Sequence, residues 1–335
     1  MEVWEVHRPG PLSTGPLVRA RRPDPEPGPG QVLVQVRACG VCRTDLHVTE
    51  GDLPVHRPQV VPGHQVVGRV LACGPGAARL AVGDRVGVAW LGWTCGRCRA
   101  CRLGRENLCP NARFTGWDLD GGYAELLVAD EAFVYQLPDT LPDAAVAPLL
   151  CAGIIGYRAL QRAALPPAGR LGIYGFGSSA HLTAQLALRQ GAEVHVVTRS
   201  EAACELARSL GCASARTTGP PPVPLDAALV FAPSGPVLAE ALEALAPGGV
   251  AVAAGIHLSD LPPLQYQRHL FGERDLRSVT ANTRADGEAF LALADRLGVR
   301  ASTTTYGFDE VDRALADLAE DRLTGSAVVL VDPEA

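Results

Sequence analysis

The run Cys95-Gly-Arg-Cys98-Arg-Ala-Cys101-Arg-Leu-Gly-Arg-Glu-Asn-Leu-Cys109 places four thiols within fifteen residues, and no other feature limits the possible folds of this chain as strongly. Four thiolates at this spacing can wrap one tetrahedral Zn²⁺. A closed four-sulfur shell makes that zinc structural, because no coordination position remains for a substrate. A disulfide cluster or a redox pair would use the same residues in an oxidising compartment. Nothing marks the chain as secreted, and intracellular thiols stay reduced. A nucleic-acid-binding zinc ribbon has similar spacing, so the rest of the chain must decide between a stapled lobe and a nucleic-acid reader.

Charge argues for the lobe. The formal net charge of -6 gives no electrostatic reason to bind nucleic acid or an anionic membrane. The cluster Arg97, Arg99, Arg102 and Arg105 is a local exception, but the chain contains no lysine, so arginine supplies every surface cation. At 335 residues there is enough chain for two full cores. Met1 to Gly10 is polar, so no signal peptide is expected, and no stretch of about twenty apolar residues predicts a membrane span. The protein is expected to be cytoplasmic, where its ten cysteines suggest metal more than disulfides.

The pattern along the chain divides it. Gln31 to Arg37 alternates, with Val32, Val34 and Val36 on one face. Val66 to Leu71 and Arg85 to Trp90 read as further strands, set off by Pro62-Gly63, Gly74-Pro75-Gly76 and Gly83-Asp84 turns. These predict a β-rich, barrel-like domain. From about Pro148 strands and helices alternate: strand 170–174, helix 179–190, strand 193–198, helix 201–210, then strands at 226–231, 250–254 and 276–280. This predicts a doubly wound α/β domain with a parallel sheet. Helices at 286–297 and 309–318 and a strand at 327–331 are expected to return to the first domain.

Gly175-Phe-Gly177-Ser178-Ser179-Ala180 follows a predicted strand and opens a predicted helix. The two glycines suit a tight turn with close backbone approach to a pyrophosphate, and the helix start supplies N–H groups and a positive dipole end. The next strand ends Val197-Thr198-Arg199-Ser200, without the carboxylate that grips the ribose 2′-hydroxyl of NAD. A cation and two hydroxyls there suit a 2′-phosphate, which favours NADP(H), with NAD(H) the alternative.

A second group of ligand types lies outside the four-cysteine run: Cys39-Gly-Val-Cys42-Arg43-Thr44-Asp45-Leu-His47, Pro62-Gly63-His64-Gln65, and Leu150-Cys151-Ala-Gly153. Each alone is modest. With the cysteine knuckle and the glycine turn, in this order, the chain resembles the zinc-dependent medium-chain alcohol dehydrogenase family over both domains. The resemblance implies two zinc ions per chain. Cys42, His64 and Cys151 would hold a catalytic zinc with one open position, and Cys95, Cys98, Cys101 and Cys109 a structural one. It implies that hydride passes between an alcohol carbon and the nicotinamide, with Thr44 accepting the substrate proton and His47 delivering it to solvent. Arg43 would contact the cofactor pyrophosphate. Asp45 would orient His64. Gln65 stands where the family commonly has Glu, which puts in doubt any ligand exchange that uses that carboxylate. Trp90 and Trp117 resemble pocket-lining positions, for a narrow apolar pocket suited to small primary alcohols or planar aldehydes.

The expected domains are a catalytic one over 1–151 and 282–335, with its zinc lobe at 91–112, and a dinucleotide-binding one over 152–281. A homo-oligomer, dimer or tetramer, is expected from the same resemblance. A zinc-free quinone or enoyl reductase would lack both cysteine sets. A zinc-knuckle, dinucleotide-binding sensor without turnover would leave Cys42, His64 and Cys151 without a purpose.

Overall fold

The alternation that begins at Gln31 builds the first unit. Val32, Val34 and Val36 are buried, and Leu33, Gln35 and Arg37 are half-buried. A computed structural model describes residues 1–331 and extends this strand to Gln31–Val41. Ala38 to Val41 is buried on both faces, so the two-residue period that marks its start vanishes at its end. One edge pairs antiparallel with Val66–Cys73 through two register shifts. The other pairs first with Leu126–Asp130 and then with Ser326–Leu330. One strand that serves three partners bends the seven-stranded sheet around the valine core. The strand expected to reach Trp90 stops at Val88, which leaves Ala89 and Trp90 to turn out of the ladder.

The second unit is a six-stranded parallel sheet. In chain order its strands are Arg170–Tyr174, Glu193–Val197, Ser214–Arg216, Leu225–Val230, Leu245–Ala253 and Asp275–Ser278. Their order in space is 3-2-1-4-5-6, the doubly wound order with a topological switch beside the first strand. Leu171, Ile173, Val194, Val196, Leu225 and Leu229 are fully buried, as a parallel sheet covered on both faces requires. Ser178–Arg189, Glu201–Ser209 and Gly235–Glu243 are among its helices.

The first unit comprises Met1–Cys151, Ala281–Glu288 and the chain from Ala301 onward; the second comprises Ala152–Thr280 and Ala289–Arg300. Residues 289–300 therefore differ from the sequence expectation, which assigned them to the returning segment. The cause is packing. A Cβ on Gly153 would lie 2.3 Å from the Phe290 ring, so ring and helix backbone are in close contact. The Arg300 backbone also exchanges two hydrogen bonds with the Gln185 side chain, at 2.8 and 3.1 Å. No single helix among the described residues is long and apolar enough to cross a membrane.

Candidate active site

Cys42 ends the long strand and caps the helix Arg43–Glu50. Its N–H donates to Asp45 Oδ2 at 2.9 Å, so the first turn of the helix fixes the carboxylate beside it. His64 arrives on the Pro62-Gly63 turn. Gly63 has φ +95°, and a Cβ there would lie 2.8 Å from both Cys39 Sγ and the Tyr123 ring, so only glycine fits. Cys151 follows the short helix Ala147–Leu150, anchored by the fully buried Leu150.

These three residues come from separate segments, with Cys151 lying 87 positions after His64 in sequence, and bring their donor atoms within 4.8 Å of one another. His64 Nε2 lies 3.2 Å from Cys151 Sγ. Zn–N and Zn–S bonds of about 2.0–2.3 Å place tetrahedral ligand atoms about 3.3–3.8 Å apart, so the donor set fits zinc in kind and in spacing. His64 Nδ1 sits 2.8 Å from Asp45 Oδ1, with both side chains buried. That carboxylate holds the proton on Nδ1 and leaves Nε2 to face the two sulfurs. Burial pulls the His64 pKa down, but Asp45 and Cys42 outweigh it and push it up to about 10. The hydrogen bond from Cys151, against burial, holds the Cys42 thiol well below its ordinary range, while Cys151 is driven up by sharing with Cys42 and by burial. A negative sulfur is favoured here even before any cation is considered.

The second cluster is local. Cys95, Cys98, Cys101 and Cys109 also bring their sulfurs within 4.8 Å. The pairs Cys98–Cys101 and Cys95–Cys109 each lie at 3.5 Å, far beyond a disulfide bond and close to the edge of a four-sulfur zinc tetrahedron. Backbone N–H groups of Arg97 and Cys98 draw the Cys95 thiol down to about 6. Glu106, inside this loop, makes a forked ion pair with Arg284, at 2.7 to 3.1 Å, and also accepts the Arg284 backbone N–H at 2.8 Å. Arg284 lies over the Phe133 ring at 4.5 Å, so the knuckle is clamped to the segment that returns to this unit. The sequence reading missed this clamp, because its partners are 178 residues apart.

The remaining expected residues fall around these clusters. Thr44 Oγ1 lies 3.8 Å from Cys42 Sγ. His47 Nδ1 faces Asp52 Oδ2 at 2.7 Å, a partner that the sequence reading did not name. Arg43 is ion-paired with Asp321 and half exposed, so a pyrophosphate contact would require it to exchange that partner. Gln65 is buried against Gly40, where a Cβ would lie 2.5 Å from its amide oxygen. Cys39 sits in the core with its thiol pushed well above the ordinary range by burial and Asp45. Trp90, freed by the early end of its strand, meets the His64 ring edge-on at 5.0 Å. It stacks with Phe114 and Trp117, and Trp117 stacks on His56 at 4.0 Å. A cavity of about 160 Å³ beyond Trp117 is lined by Leu53, Val55, His56 and Val60.

In the second unit, the strand Arg170–Tyr174 ends at Gly175, whose φ of +83° turns the chain into Ser178–Arg189. A Cβ on Gly175 would lie 2.9 Å from the Ala232 nitrogen, whereas one on Gly177 would meet nothing within 4 Å. Gly177 thus leaves open space at the helix start beside Ser178 and Ser179, and the buried Ala180 packs inward. Thr198 is half-buried, and its N–H is held by the Arg216 carbonyl at 3.0 Å. Arg199 is exposed and has no ion-pair partner among the described residues. Ser200 caps the next helix, accepting the Ala203 N–H at 3.3 Å. Glu201, the nearest carboxylate, pairs with Arg208 at 2.9 Å.

Residues 28–139 match the alcohol dehydrogenase GroES-like domain. The chain is 57% identical over 337 aligned residues to a probable alcohol dehydrogenase of Mycobacterium tuberculosis, covering 99% of this chain and 97% of that protein. Among solved structures, a cinnamyl alcohol dehydrogenase of Sorghum bicolor superposes with a TM-score of 0.88 at 29% identity, over 98% of this chain and 96% of that one. A cobalt- and zinc-bound thermostable alcohol dehydrogenase of Pyrobaculum aerophilum gives 0.88 at 25% identity, over 99% and 100%. The chain belongs to the zinc-dependent medium-chain alcohol dehydrogenase family. It is an oxidoreductase that acts on alcohols with a nicotinamide cofactor.

Proposed function

We propose that this enzyme holds two zinc ions per chain and interconverts small primary alcohols and their aldehydes, with NADP(H) favoured over NAD(H). Cys42, His64 and Cys151 would hold the catalytic ion; Cys95, Cys98, Cys101 and Cys109 would hold the structural one. The observation that carries this reading is the contrast between the two clusters: three converging donors beside Trp90, and four closed on themselves. When bound, zinc supplies Lewis acidity toward the alcohol oxygen, and the nicotinamide supplies the hydride acceptor. The protein's own residues do the rest. Asp45 fixes the His64 tautomer. Thr44 Oγ1 takes the substrate proton, since a hydroxyl can accept and donate at once. His47, whose Nδ1 faces Asp52 Oδ2 at 2.7 Å, passes that proton to solvent. Trp90 and Trp117 give the substrate an apolar, flat-walled surrounding, which disfavours polyols.

The cofactor preference rests on the end of the strand Glu193–Val197 at Thr198. No carboxylate is available there to accept both ribose hydroxyls, because Glu201 is turned to Arg208. The uncommitted Arg199 offers a charge-assisted contact worth about 1.5–3 kcal/mol, roughly ten- to a hundredfold in affinity. KM for NADPH should be lower than for NADH, and Thr198→Asp should reverse the order by repelling a 2′-phosphate. Steady-state kinetics check this: a clear preference of the parent enzyme for NADH would remove Arg199 from the site.

The structural cluster gives a stability prediction. Metal held by a folded knuckle adds its binding free energy to folding. Cys98→Ser should lower the zinc content by one and reduce thermal stability, and it should affect turnover only indirectly. Even a loss of ~2 kcal/mol would lower the melting temperature of a domain of this size by about 4–8 °C. Parent-like melting together with parent-like zinc content would refute the structural role.

A cytoplasmic homo-oligomer completes the proposal. Its support is the edge strand Asp275–Ser278, which pairs on one side only, with Leu276, Phe271 and Tyr266 exposed in and before it. A monomeric mass in solution would overturn the oligomer.

A further inference from the structure

We propose that Tyr123 is a positioning residue for the catalytic metal site, acting through its hydroxyl on the carboxylate that orients His64. The inference rests on the reading of His64 as a zinc ligand. The Asp45 carboxylate is buried to 1% exposure, and four donors converge on it. Oδ1 accepts His64 Nδ1–H at 2.8 Å and the Gly63 N–H at 3.1 Å. Oδ2 accepts the Cys42 N–H at 2.9 Å and the Tyr123 hydroxyl at 3.2 Å. A carboxylate has about four lone-pair sites, so this one is saturated. Three of the donors lie on or beside proposed zinc ligands. Tyr123 is the fourth and comes from a separate segment.

That segment is itself tied to the turn that delivers His64. Gly121 N–H donates to the Val61 carbonyl at 2.7 Å, Gly122 N–H to the Gly63 carbonyl at 2.8 Å, and Tyr123 N–H to the Pro62 carbonyl at 3.0 Å. The Tyr123 ring is fully buried and packs against Gly63. Its hydroxyl therefore has a fixed position relative to the Pro62-Gly63-His64 turn. The side chain of an aspartate rotates broadly about its last torsion. With two donors on each oxygen, that rotation is pinned with Oδ1 toward Nδ1. With the tyrosine oxygen removed, Oδ2 keeps one donor in a site without water access, and the carboxylate can turn away from His64. The imidazole then loses the partner that fixes its tautomer and basicity.

Tyr123→Phe tests this, because it deletes one oxygen and keeps the ring that packs on Gly63. In the zinc-loaded enzyme, transfer of the catalytic zinc to a chelator should become about 10- to 100-fold more favourable, the range found when an outer partner of a metal ligand is lost. The visible absorption of the cobalt-substituted enzyme should shift, and kcat should fall while KM for the cofactor stays near the parent value. In an Asp45→Ala background, where no oxygen remains to accept the tyrosine hydroxyl, the same change should cost nothing further, which keeps the test decisive if the single variant folds poorly. Parent-like zinc retention and an unshifted cobalt spectrum in Tyr123→Phe would overturn the proposal, as would an equal further loss in the Asp45→Ala background. A parent enzyme that holds no second zinc would instead overturn the ligand assignment beneath it.

Discussion

Cys151→Ala is expected to remove one zinc per chain and to abolish alcohol turnover while the fold persists. Cys151 is one of three donors, and its sulfur is 3.2 Å from His64 Nε2. Without it, two protein ligands remain, one short of the set that holds a catalytic zinc with an open position. The loss should stay local for two reasons. Leu150, not Cys151, fills the core at this point, and the second cluster lies on a separate loop with its own clamp to Arg284. The checks are metal content, turnover and melting on one preparation. A variant with one zinc, parent-like melting and no detectable rate is the expected result. Full activity with one zinc would remove Cys151 from the site.

The two ligand clusters were legible in the sequence to different degrees, for a physical reason. The knuckle is local: four cysteines within one short loop can close only around each other or a metal, so spacing alone announces it. Cys42, His64 and Cys151 converge only after the Gln31–Val41 strand, the Pro62-Gly63 turn and the Ala147–Leu150 helix are in place, so the residues alone left them modest and only the family resemblance joined them. The second unit was legible because a parallel sheet imposes alternating apolar runs and helices. Other elements gave weaker signals. Arg43–Glu50 is a polar helix whose start is marked chiefly by Asp45 reaching back to Cys42. Ala152–Ala163 carries Gly153 and Gly156, poor helix formers retained where Phe290 and Thr183 approach the backbone. Tyr123, Asp52 and the Glu106–Arg284 clamp carried no sequence signal, because each is defined by a tertiary partner and belongs to no motif read in the sequence.

Thr44→Val should lower kcat by at least the roughly 10²-fold typical of lost acid–base catalysis, with zinc content unchanged. Valine matches threonine in shape and replaces the hydroxyl by a methyl group, so the start of the Arg43–Glu50 helix should be undisturbed. The hydroxyl is not needed to hold Asp45, whose four donors come from other groups. Among the described residues its polar contact is with Cys42 Sγ at 3.8 Å, a weak interaction beside the proposed site. What the variant loses is therefore the proton acceptor. His47→Gln should cost less, because His47 is further along the route and water can take the proton ahead of it. The ordering of the two variants separates a relay from a packing effect. A relay predicts a large loss at Thr44 and a smaller one at His47, with both proteins melting like the parent. If Thr44→Val oxidised alcohol at the parent rate, the proton would have to leave by another group, and neither residue would belong to the mechanism.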